Sequence, residues 1–328
     1  MTARNQAIPI YQYFLGIVLK LKARFVSIII PSRWFASGMK SLEPFREQMT
    51  YDKHIKYLRD FIDSKKCFAN TSISGGVCIV LRDSAHIGDC TFSDYSGNIM
   101  QRSLNEFEVL VRYNKAVNIL HKILKQNFIP LSKITSPACP FGLPTNMRGR
   151  DQKNTIDCLT LYSSTDKTYI SRPEVKNGYS LIDKYKVMIG KMASEHAGEP
   201  SKTDGKYRVF TNAMRVLFPG EVVTHSYFCC GCFGNQLEAE NLCAYLKSCF
   251  VRFLVLISLT ATNLSQKNFI FVPNQDFSDN SDIDWQQDID SQLYKKYGIT
   301  KDEVSFIKSI IKPSSPAQLN HKVNKRLD

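Results

Sequence analysis

Cysteine clusters are the clearest candidates for metal chemistry in this sequence, and the tightest is Cys229-Cys230-Gly231-Cys232. A structural zinc site takes four ligands, usually from two spaced pairs, and we find no second C-x-x-C and no H-x-x-x-H motif to complete one. Most of the ten cysteines stand in apolar or strand-like segments, where a free thiol behaves as a small buried hydrophobe. We therefore expect no metal site, reduced thiols and a cytoplasmic location.

Acidic residues two positions before a lysine are the next candidates, because nucleases use such pairs with a further Asp to hold Mg²⁺. Glu174-Val175-Lys176 downstream of Asp157 fits this pattern. The short motif also occurs at 63–65, 151–153 and 204–206, so it carries little information and predicts no nuclease. The histidines show neither ligand spacing nor a triad-like context; they include His54, His86, His121, His196 and His225.

Basic side chains predict a polyanionic partner, with a nucleic acid ahead of a membrane surface. The 328 residues contain 43 Lys+Arg against 30 Asp+Glu, a formal charge of +13 spread along the chain. Lys and Arg on loops suit phosphate contacts, while Arg and Asn read guanine and adenine edges. Six residues in predicted loops or strand ends are therefore candidate DNA contacts: Asn146, Arg148, Arg150, Lys153, Lys167 and Arg172. Tyr169 is expected in the core or at its rim.

The elements that must position these residues are predicted from periodicity. Residues 7–21 and a segment from Ser41 read as helices, and 54–61 and 76–81 read as strands. Residues 24–30 form a β-branched run stopped by Pro31, typical of a strand buried on both faces of a parallel sheet. The first 95 residues thus predict part of a doubly wound α/β sheet. The first apolar run is too short and too charged to span a membrane.

A second region has a different character. It shows a helix at 116–126 and short strands at 157–162, 167–171, 185–189 and 222–228. A helix at 237–250 continues into apolar residues up to 259. The predicted domains are 1–95, an α/β unit; 96–275, an α+β unit; and 276–328, a linker, a helix near 302–311 and a basic tail.

Several segments together resemble the C-terminal half of the TaqI-like (gamma-class) adenine-N6 DNA methyltransferases of type II restriction–modification systems. The N-terminal ones are Ile28-Ile-Ile-Pro-Ser-Arg-Trp34, Leu42-Glu-Pro-Phe-Arg46, Asp60-Phe61, Cys67-Phe68 and Gly75-Gly76-Val-Cys-Ile-Val80. Later ones include Pro140-Phe-Gly-Leu143, Pro219-Gly-Glu-Val222, Glu238-Ala-Glu-Asn241 and Phe271-Val-Pro273. The resemblance runs from about residue 7 to residue 311 and follows the family's order.

This resemblance implies roles for individual residues. It implies that residues 96–275 are a target recognition domain that binds double-stranded DNA, and that Phe68 stacks on the adenine flipped out of the duplex. Arg33 and Trp34 follow a strand end, where open α/β sheets bind ligands. Arg33 is therefore a candidate phosphate contact and Trp34 a candidate wall of the adenine pocket. The alternatives are a core aromatic at 68, and at 33 and 34 an Arg paired with a carboxylate and a Trp covering the sheet edge.

The sequence departs from the family at the cofactor and catalytic motifs. Such enzymes use a Gly-rich loop for S-adenosylmethionine and an Asn-Pro-Pro-Tyr motif, whereas this chain has no Pro-Pro dipeptide and no D-x-x-x-G-x-G. Its tight glycine pairs, Gly75-Gly76 and Gly231/Gly234, are not predicted to follow a strand and open a helix. We expect no catalytic residue here and no methyl transfer by this chain alone. A partner would supply the missing half; the alternatives are a non-catalytic DNA specificity subunit and the relic of a decayed gene.

Overall fold

The computed structural model describes residues 9–35, 40–153, 157–194, 200, 201, 203–259 and 263–313. The chain forms two compact units. Unit 1 contains 1–118 with 196–199 and 257–262, and unit 2 contains the remainder. The basic tail predicted after Pro313 lies outside the described residues.

Unit 1 is a five-stranded mixed sheet with helices. Its elements are α1 (Tyr11–Lys20), β1 (Phe25–Pro31), α2 (Glu43–Tyr51), β2 (Ile55–Phe61), β3 (Val77–Asp83), β4 (Cys90–Ser93) and β5 (Ile99–Arg102), and α3 (Asn114–Leu124) crosses its boundary. The strand order is β1-β3-β2-β4-β5. β3 runs antiparallel to both β1 and β2, and β4 runs parallel to β2. Because β1 and β2 are both antiparallel to β3, they run in the same direction. Their C-terminal ends therefore lie at the same end of the sheet.

The predicted helices and strands of unit 1 are present, but the environment of the first strand was predicted wrongly. β1 is not buried on both faces, because Val26 and Ile30 are buried while Phe25 and Ile29 are exposed. Its apolar run fills the core on one side only, together with Leu15 and Phe45. The predicted domain limit at residue 95 falls between β4 and β5, which pair with each other in one hairpin.

Unit 2 contains two three-stranded sheets and most of the helices. Its strands are β6 (Cys158–Tyr162), β7 (Lys167–Ser171), β8 (Tyr185–Gly190), β9 (Arg215–Leu217), β10 (Glu221–Val223) and β11 (Tyr227–Phe233). The sheets have the orders β10-β6-β7 and β11-β8-β9. The helices are α4 (Tyr179–Ile182), α5 (Gln236–Lys247), α6 (Cys249–Ile257), α7 (Ile289–Lys296) and α8 (Lys301–Ile310).

Two predicted elements of unit 2 are each divided in the structure. The strand predicted at 222–228 is split between β10 and β11, because a turn from Thr224 to Tyr227 moves the chain from one sheet to the other. The helix predicted through residue 259 breaks at Ser248, which has an extended backbone. Asp290 then accepts the N–H groups of Cys249 and Phe250 and so caps α6. Both breaks depend on partners distant in sequence.

Candidate functional site

A buried polar network lies in unit 1 at the end of the sheet where β1 and β2 terminate. Asp60, at the end of β2, is 1% exposed. It accepts hydrogen bonds from Arg112 Nε at 2.7 Å, Arg112 Nη2 at 2.8 Å and Ser32 Oγ at 3.1 Å. Both Arg112 and Ser32 are also buried, so the carboxylate and the guanidinium compensate each other away from water. The network joins the end of β2 to the segment after β1.

The loop that leads into β3 is held against this network through its carbonyl groups. Arg112 Nη1 donates to Gly75 O at 2.9 Å, and Arg33 Nε donates to Ser74 O at 3.1 Å. Gly76 has φ +77°, and a Cβ there would clash with the backbone oxygen of Phe61. Only glycine fits both this conformation and this close approach. Two arginines and one glycine therefore determine the path of residues 74–76.

The Phe68 side chain lies on the same loop and is 42% exposed. Buried Ser64 fixes the loop, because its Oγ donates to Thr71 O at 2.9 Å and accepts from Ile73 N at 2.8 Å. The Phe68 N–H donates to Ser64 O at 2.9 Å, and its carbonyl accepts from Thr71 N at 3.0 Å. An aromatic face is thus presented to solvent on a well-braced backbone, which is the arrangement that stacking on a base requires.

Trp34 and Arg33 have contrasting surroundings. Trp34 is 0% exposed and packs edge-on against Phe35 at 4.8 Å and Phe45 at 6.0 Å between ring centroids. Trp34 is therefore a core residue that supports this end of the sheet from beneath. Arg33 is exposed, as a phosphate contact would require. The structure thus brings Arg33 and Phe68 to the two ends of one braced loop and keeps Trp34 beneath the surface.

Unit 2 gathers three of the candidate DNA contacts around the solvent side of β7. Arg150 forms a backbone bridge with Tyr169, and Lys153 Nζ lies 5.5 Å from the Tyr169 ring centroid. A Cβ on Gly149 would lie 2.5 Å from both Tyr169 O and Thr168 Oγ1, so glycine lets this arm approach the strand. Tyr169 is half-buried and sits at the rim. Lys167 lies two residues earlier on the same side of β7.

The neighbouring strand continues this basic and aromatic surface. Tyr162 pairs with Lys167 across β6 and β7, with Lys167 Nζ at 5.7 Å and Arg215 Cζ at 5.3 Å from its ring centroid. The Tyr162 hydroxyl donates to Glu221 Oε1 at 3.0 Å. Burial, followed by the Glu221 charge, raises the pKa of Tyr162 to about 12, so the phenol stays protonated at neutral pH. We call the surface formed by Arg150, Lys153, Tyr162, Lys167, Tyr169 and Arg215 the basic face.

The other three candidate DNA contacts, Arg172, Arg148 and Asn146, are not part of the basic face. Arg172 donates two hydrogen bonds to Asp183, at 2.9 and 2.8 Å, and one to Asp157 at 3.0 Å. Its guanidinium is therefore already neutralised by two carboxylates. Arg148 is exposed and folds back on Thr145 O and Met147 O, and Asn146 is exposed on the same loop. In the short acidic motif, Glu174 accepts the backbone N–H of Ser171 and so has a local structural role.

Neither glycine pair has the surroundings of a cofactor loop. Gly231 lies within β11, and Gly234 lies between the end of β11 and the start of α5. A Cβ on Gly231 would clash with Phe233, and Asn235 already accepts the N–H of Glu238 at the start of α5. Gly75-Gly76 leads into a strand. The described residues therefore do not fit an S-adenosylmethionine loop, and we derive no methyl-transfer step from this chain.

The ten cysteines are free thiols. Cys229 and Cys230 are buried, and burial raises the pKa of each thiol to about 12, which favours the protonated form over a metal-binding thiolate. Within the described part of the chain, no group of three or more His, Cys, Asp or Glu residues is placed to hold a metal ion. Over the same residues, the length and apolarity needed to cross a bilayer occur in no helix.

Comparisons with known proteins bear on the segment that carries the unit 1 site. Residues 1–68 match the Eco57I restriction-modification methylase family. An uncharacterized adenine-specific methylase of Mycoplasma pneumoniae (strain ATCC 29342 / M129 / Subtype 1) is 31% identical over 84 residues, which are 26% of this chain and 20% of that protein. The chain thus spans about a fifth of the length of this curated relative.

A solved structure, the type IIG restriction endonuclease BpuSI, aligns with 90% of this chain and 45% of its own, at 12% identity and a TM-score of 0.33. A structural likeness this low carries no argument. The sequence similarities are more informative. Residues 1–68 are similar to restriction–modification methylases, and this matched segment ends at Phe68. A stretch of 84 residues is similar to an adenine-specific methylase.

Sequence reasoning missed several residues of these sites. Asp60 was noted only as part of a motif, and Ser64, Arg112 and Arg215 were not singled out. A signal existed for Arg112, because it interrupts the apolar segment 109–113, as a buried charge with a partner does. Asp60 follows Arg59 and gives no such signal. Ser64 and Arg215 have no such signal, since their roles depend on partners brought close by the loop and by β9.

Proposed function

We propose that this chain provides DNA target recognition and the base-contacting side of a site-specific DNA adenine-N6 methyltransferase of a restriction–modification system. The observation that carries the proposal is the exposed Phe68 on its braced loop, at the end of the segment that matches the methylase family. Phe68 stacks on the extruded adenine, and Arg33 contacts a nearby phosphate. Trp34 and the Asp60–Arg112 pair support this surface from beneath.

The basic face is the proposed DNA-binding surface of unit 2. Arg150, Lys153, Lys167 and Arg215 supply phosphate contacts. Tyr169 holds the Lys153 ammonium group in place, and Tyr162 holds the charged groups of Lys167 and Arg215. Arg150 is held by a hydrogen bond to Ser171 and an ion pair with Glu174. Asn146 and Arg148, on the exposed preceding loop, read base edges. The cofactor loop and the Asn-Pro-Pro-Tyr motif come from a partner polypeptide, so this chain is inactive alone and the complete enzyme uses S-adenosylmethionine.

The experiment begins with selection from a pool of randomised DNA duplexes by the purified chain. We expect enrichment of one short sequence that contains adenine. In a duplex of that sequence, the adenine is then placed in a mismatch, which lowers the cost of extruding it. Phe68→Ala should weaken binding to the mismatched duplex roughly 5- to 150-fold, the value of one stacking contact of about 1–3 kcal/mol.

Tyr51→Ala is the matched control, because Tyr51 is also an exposed aromatic of unit 1 but lies at the end of α2. It should leave the affinity unchanged. Equal losses from the two variants, or no enrichment in the selection, would refute the role of Phe68. A duplex with an abasic site in place of the adenine provides a second control, because it offers no base for Phe68 to contact.

A non-catalytic DNA specificity subunit is the second candidate, and the basic face favours it because DNA recognition there needs no chemistry. The two candidates differ in one assay, the transfer of labelled methyl groups from S-adenosylmethionine to the selected duplex. The methyltransferase proposal expects no transfer by this chain alone and transfer once the polypeptide encoded directly upstream is co-expressed. Selective binding without transfer under both conditions would favour the specificity subunit.

A further inference from the structure

Two half-buried side chains of unit 2, Lys191 and His225, are in direct contact. Lys191 Nζ lies 2.9 Å from His225 Nε2. An ammonium group can only donate, so Nε2 accepts, and the imidazole is neutral with its proton on Nδ1. Among the described residues, no carboxylate forms an ion pair with either side chain. The charge of this pair therefore has no counter-charge in the part of the chain that the structure describes.

Backbone hydrogen bonds fix the positions of both residues. Lys191 N donates to Ser226 O at 2.9 Å, and Lys191 O accepts from Leu264 N at 2.7 Å. His225 N donates to Leu143 O at 2.8 Å. The turn between β10 and β11, which carries His225, is thus tied to the segment after β8, which carries Lys191. Because the two side chains already stand together, binding of a ligand to them needs little further ordering.

The turn that carries His225 is joined to the basic face and to the neighbouring loop of candidate DNA contacts. Thr224 N donates to Tyr162 O at 3.1 Å, so the residue before His225 is bonded to the end of β6 in the basic face. Leu143, which accepts the N–H of His225, comes three residues before Asn146 on the loop. Within unit 2, a duplex that contacts both the basic face and this loop therefore comes close to the pair.

The protonation of His225 depends on burial and on one neighbouring charge. The segments that bond to its turn or to Lys191 carry other titratable side chains, namely Cys139, Tyr162, Asp166, Glu221, Tyr227 and Lys267. Glu221 is held by the Tyr162 hydroxyl and by Phe218 N. Over the described residues, Lys191 is the one charge that acts on the pKa of His225. Burial, followed by the Lys191 charge, lowers this pKa, so the imidazole is neutral at pH 7.

A phosphate group favours the other protonation state of this pair. When His225 is protonated, Nε2 becomes a donor, so the hydrogen bond from Lys191 is lost and two cations lie side by side. A phosphate bound between them offers an oxygen acceptor to each and supplies the missing negative charge. Proton binding and phosphate binding then favour each other, and each raises the affinity for the other by the same factor. The affinity for phosphate therefore rises as the pH falls.

We propose that Lys191 and His225 form a site for one backbone phosphate of the bound DNA, and that His225 takes up a proton when this phosphate binds. The proton comes from the solvent, and each side chain donates one hydrogen bond to a phosphate oxygen in place of the bond between them. This inference rests on the proposed function, since DNA is the source of the phosphate. It adds a dependence on pH that the basic face lacks, because lysine and arginine ordinarily stay charged at about pH 6–8.

The first test follows the titration of His225 by NMR in the full chain, with carbon-13 in the histidine rings and His225→Gln to assign the signal. The probe is dimethyl phosphate, a monoanion like the DNA phosphodiester, and chloride at equal ionic strength is the reference. We expect dimethyl phosphate to raise the pKa of His225 by about 1, which corresponds to about tenfold tighter binding by the protonated form. His86 is the internal control, since its Nε2 contacts Asp89 O in unit 1, and its titration should not change.

The second test measures binding of the selected duplex by fluorescence anisotropy at pH 6 and pH 8 and constant ionic strength. We expect about tenfold tighter binding at pH 6. His225→Gln should lose this gain, because its side-chain oxygen still accepts from Lys191 but takes up no proton. Lys191→Gln should lower the slope of log K against log salt by about 0.9. His86→Gln is the matched control and should keep the full dependence on pH, and Trp285 fluorescence shows whether unit 2 is folded in each variant.

Two outcomes would overturn the inference. One is a titration of His225 that dimethyl phosphate leaves unchanged. The other is a dependence of DNA binding on pH that is equal in His225→Gln and the unaltered chain, as expected if the pair only stabilises its turn. DNA selection with either outcome would count against the phosphate site alone. A raised pKa of His225 in dimethyl phosphate without any DNA selection would support the site and count against the proposed function.

Discussion

Arg112 and Asp60 form a buried, bidentate ion pair, with Nε–Oδ2 and Nη2–Oδ1 distances of 2.7 and 2.8 Å, 52 residues apart in sequence. The third donor of Arg112 binds Gly75 O, and the carboxylate also accepts from Ser32. One ion pair thus couples the end of β2, the segment after β1 and the loop that carries Phe68. The shape of the proposed base-contacting surface depends on it.

Replacement of Asp60 tests this dependence. Asp60→Asn leaves the guanidinium of Arg112 buried without a counter-charge, and we expect the free energy of unfolding of unit 1 to fall by about 3–5 kcal/mol. Urea titration followed by Trp34 fluorescence measures it. Asp89→Asn removes an exposed carboxylate of the same unit and should stay within about 0.5 kcal/mol of the unaltered chain. Similar free energies of unfolding for Asp60→Asn and Asp89→Asn would show that the Asp60–Arg112 pair is not needed to stabilise unit 1.

Gly76 is predicted to tolerate no side chain, for two separable reasons. Gly97→Ala isolates the first reason, since Gly97 has φ +85° and a Cβ there meets nothing within 4 Å. We expect it to cost about 1–2 kcal/mol, the strain of a left-handed backbone. Gly76→Ala adds a clash with the backbone of Phe61 and Ile62 and should cost at least about 2 kcal/mol more. The free energies of unfolding of the two variants, followed by Trp34 fluorescence, are compared. Equal losses of stability would disprove the close approach of Gly76 to the backbone of Phe61 and Ile62.

The basic face and Arg172 should differ in how DNA binding depends on salt. Lys153→Ala and Lys167→Ala each remove one phosphate contact and should lower the slope of log K against log salt by about 0.9. Arg172→Ala should leave the slope unchanged, because Asp157 and Asp183 already neutralise that guanidinium. Anisotropy titrations between low and physiological salt measure all three. If only Arg172→Ala lowered the slope, then Arg172 would contact phosphate and Lys153 and Lys167 would not.

Lys186 makes stability depend on pH in unit 2. Its side chain is fully buried, and its ammonium group donates to three carbonyl oxygens, those of Ile182, Lys184 and Phe218. Burial lowers the pKa of Lys186 from 10.5 to about 8. Between these values the unfolded chain keeps a proton that the folded chain has lost, so the contribution of Lys186 to stability rises with pH.

The measurement compares the unaltered chain with Lys186→Met, with unfolding followed at Trp285 in unit 2. The stability of the unaltered chain relative to the variant should be constant below pH 8. It should then increase by about 3 kcal/mol up to pH 10.5. A difference that stays flat over this range, or falls, would contradict an uncharged lysine at high pH.

Local patterns predicted much of the secondary structure. The apolar spacing of α1, α2 and α3 and the β-branched runs of β1, β2 and β3 are short-range properties, and those elements are present within a few residues of the expected limits. Elements with weak or mixed patterns were missed, among them β4, β5 and α7. The divisions at Thr224 and Ser248 were also missed, because a turn into another sheet and the carboxylate of Asp290 cause them.

The sequence by itself determined the types of the strongly patterned elements, the excess of positive charge and the lack of the cofactor and Asn-Pro-Pro-Tyr motifs in these 328 residues. It also led to the choice of Phe68, Arg33 and Trp34 as candidates, but it did not predict which of them are exposed. Tertiary structure alone decided that Trp34 is buried, that Arg172 is neutralised and that β1 lies at the edge of its sheet. Periodicity reports which residues favour burial or a given backbone, over a few neighbours. Ion pairing and strand pairing join residues tens of positions apart, so they are settled only when the chain has folded.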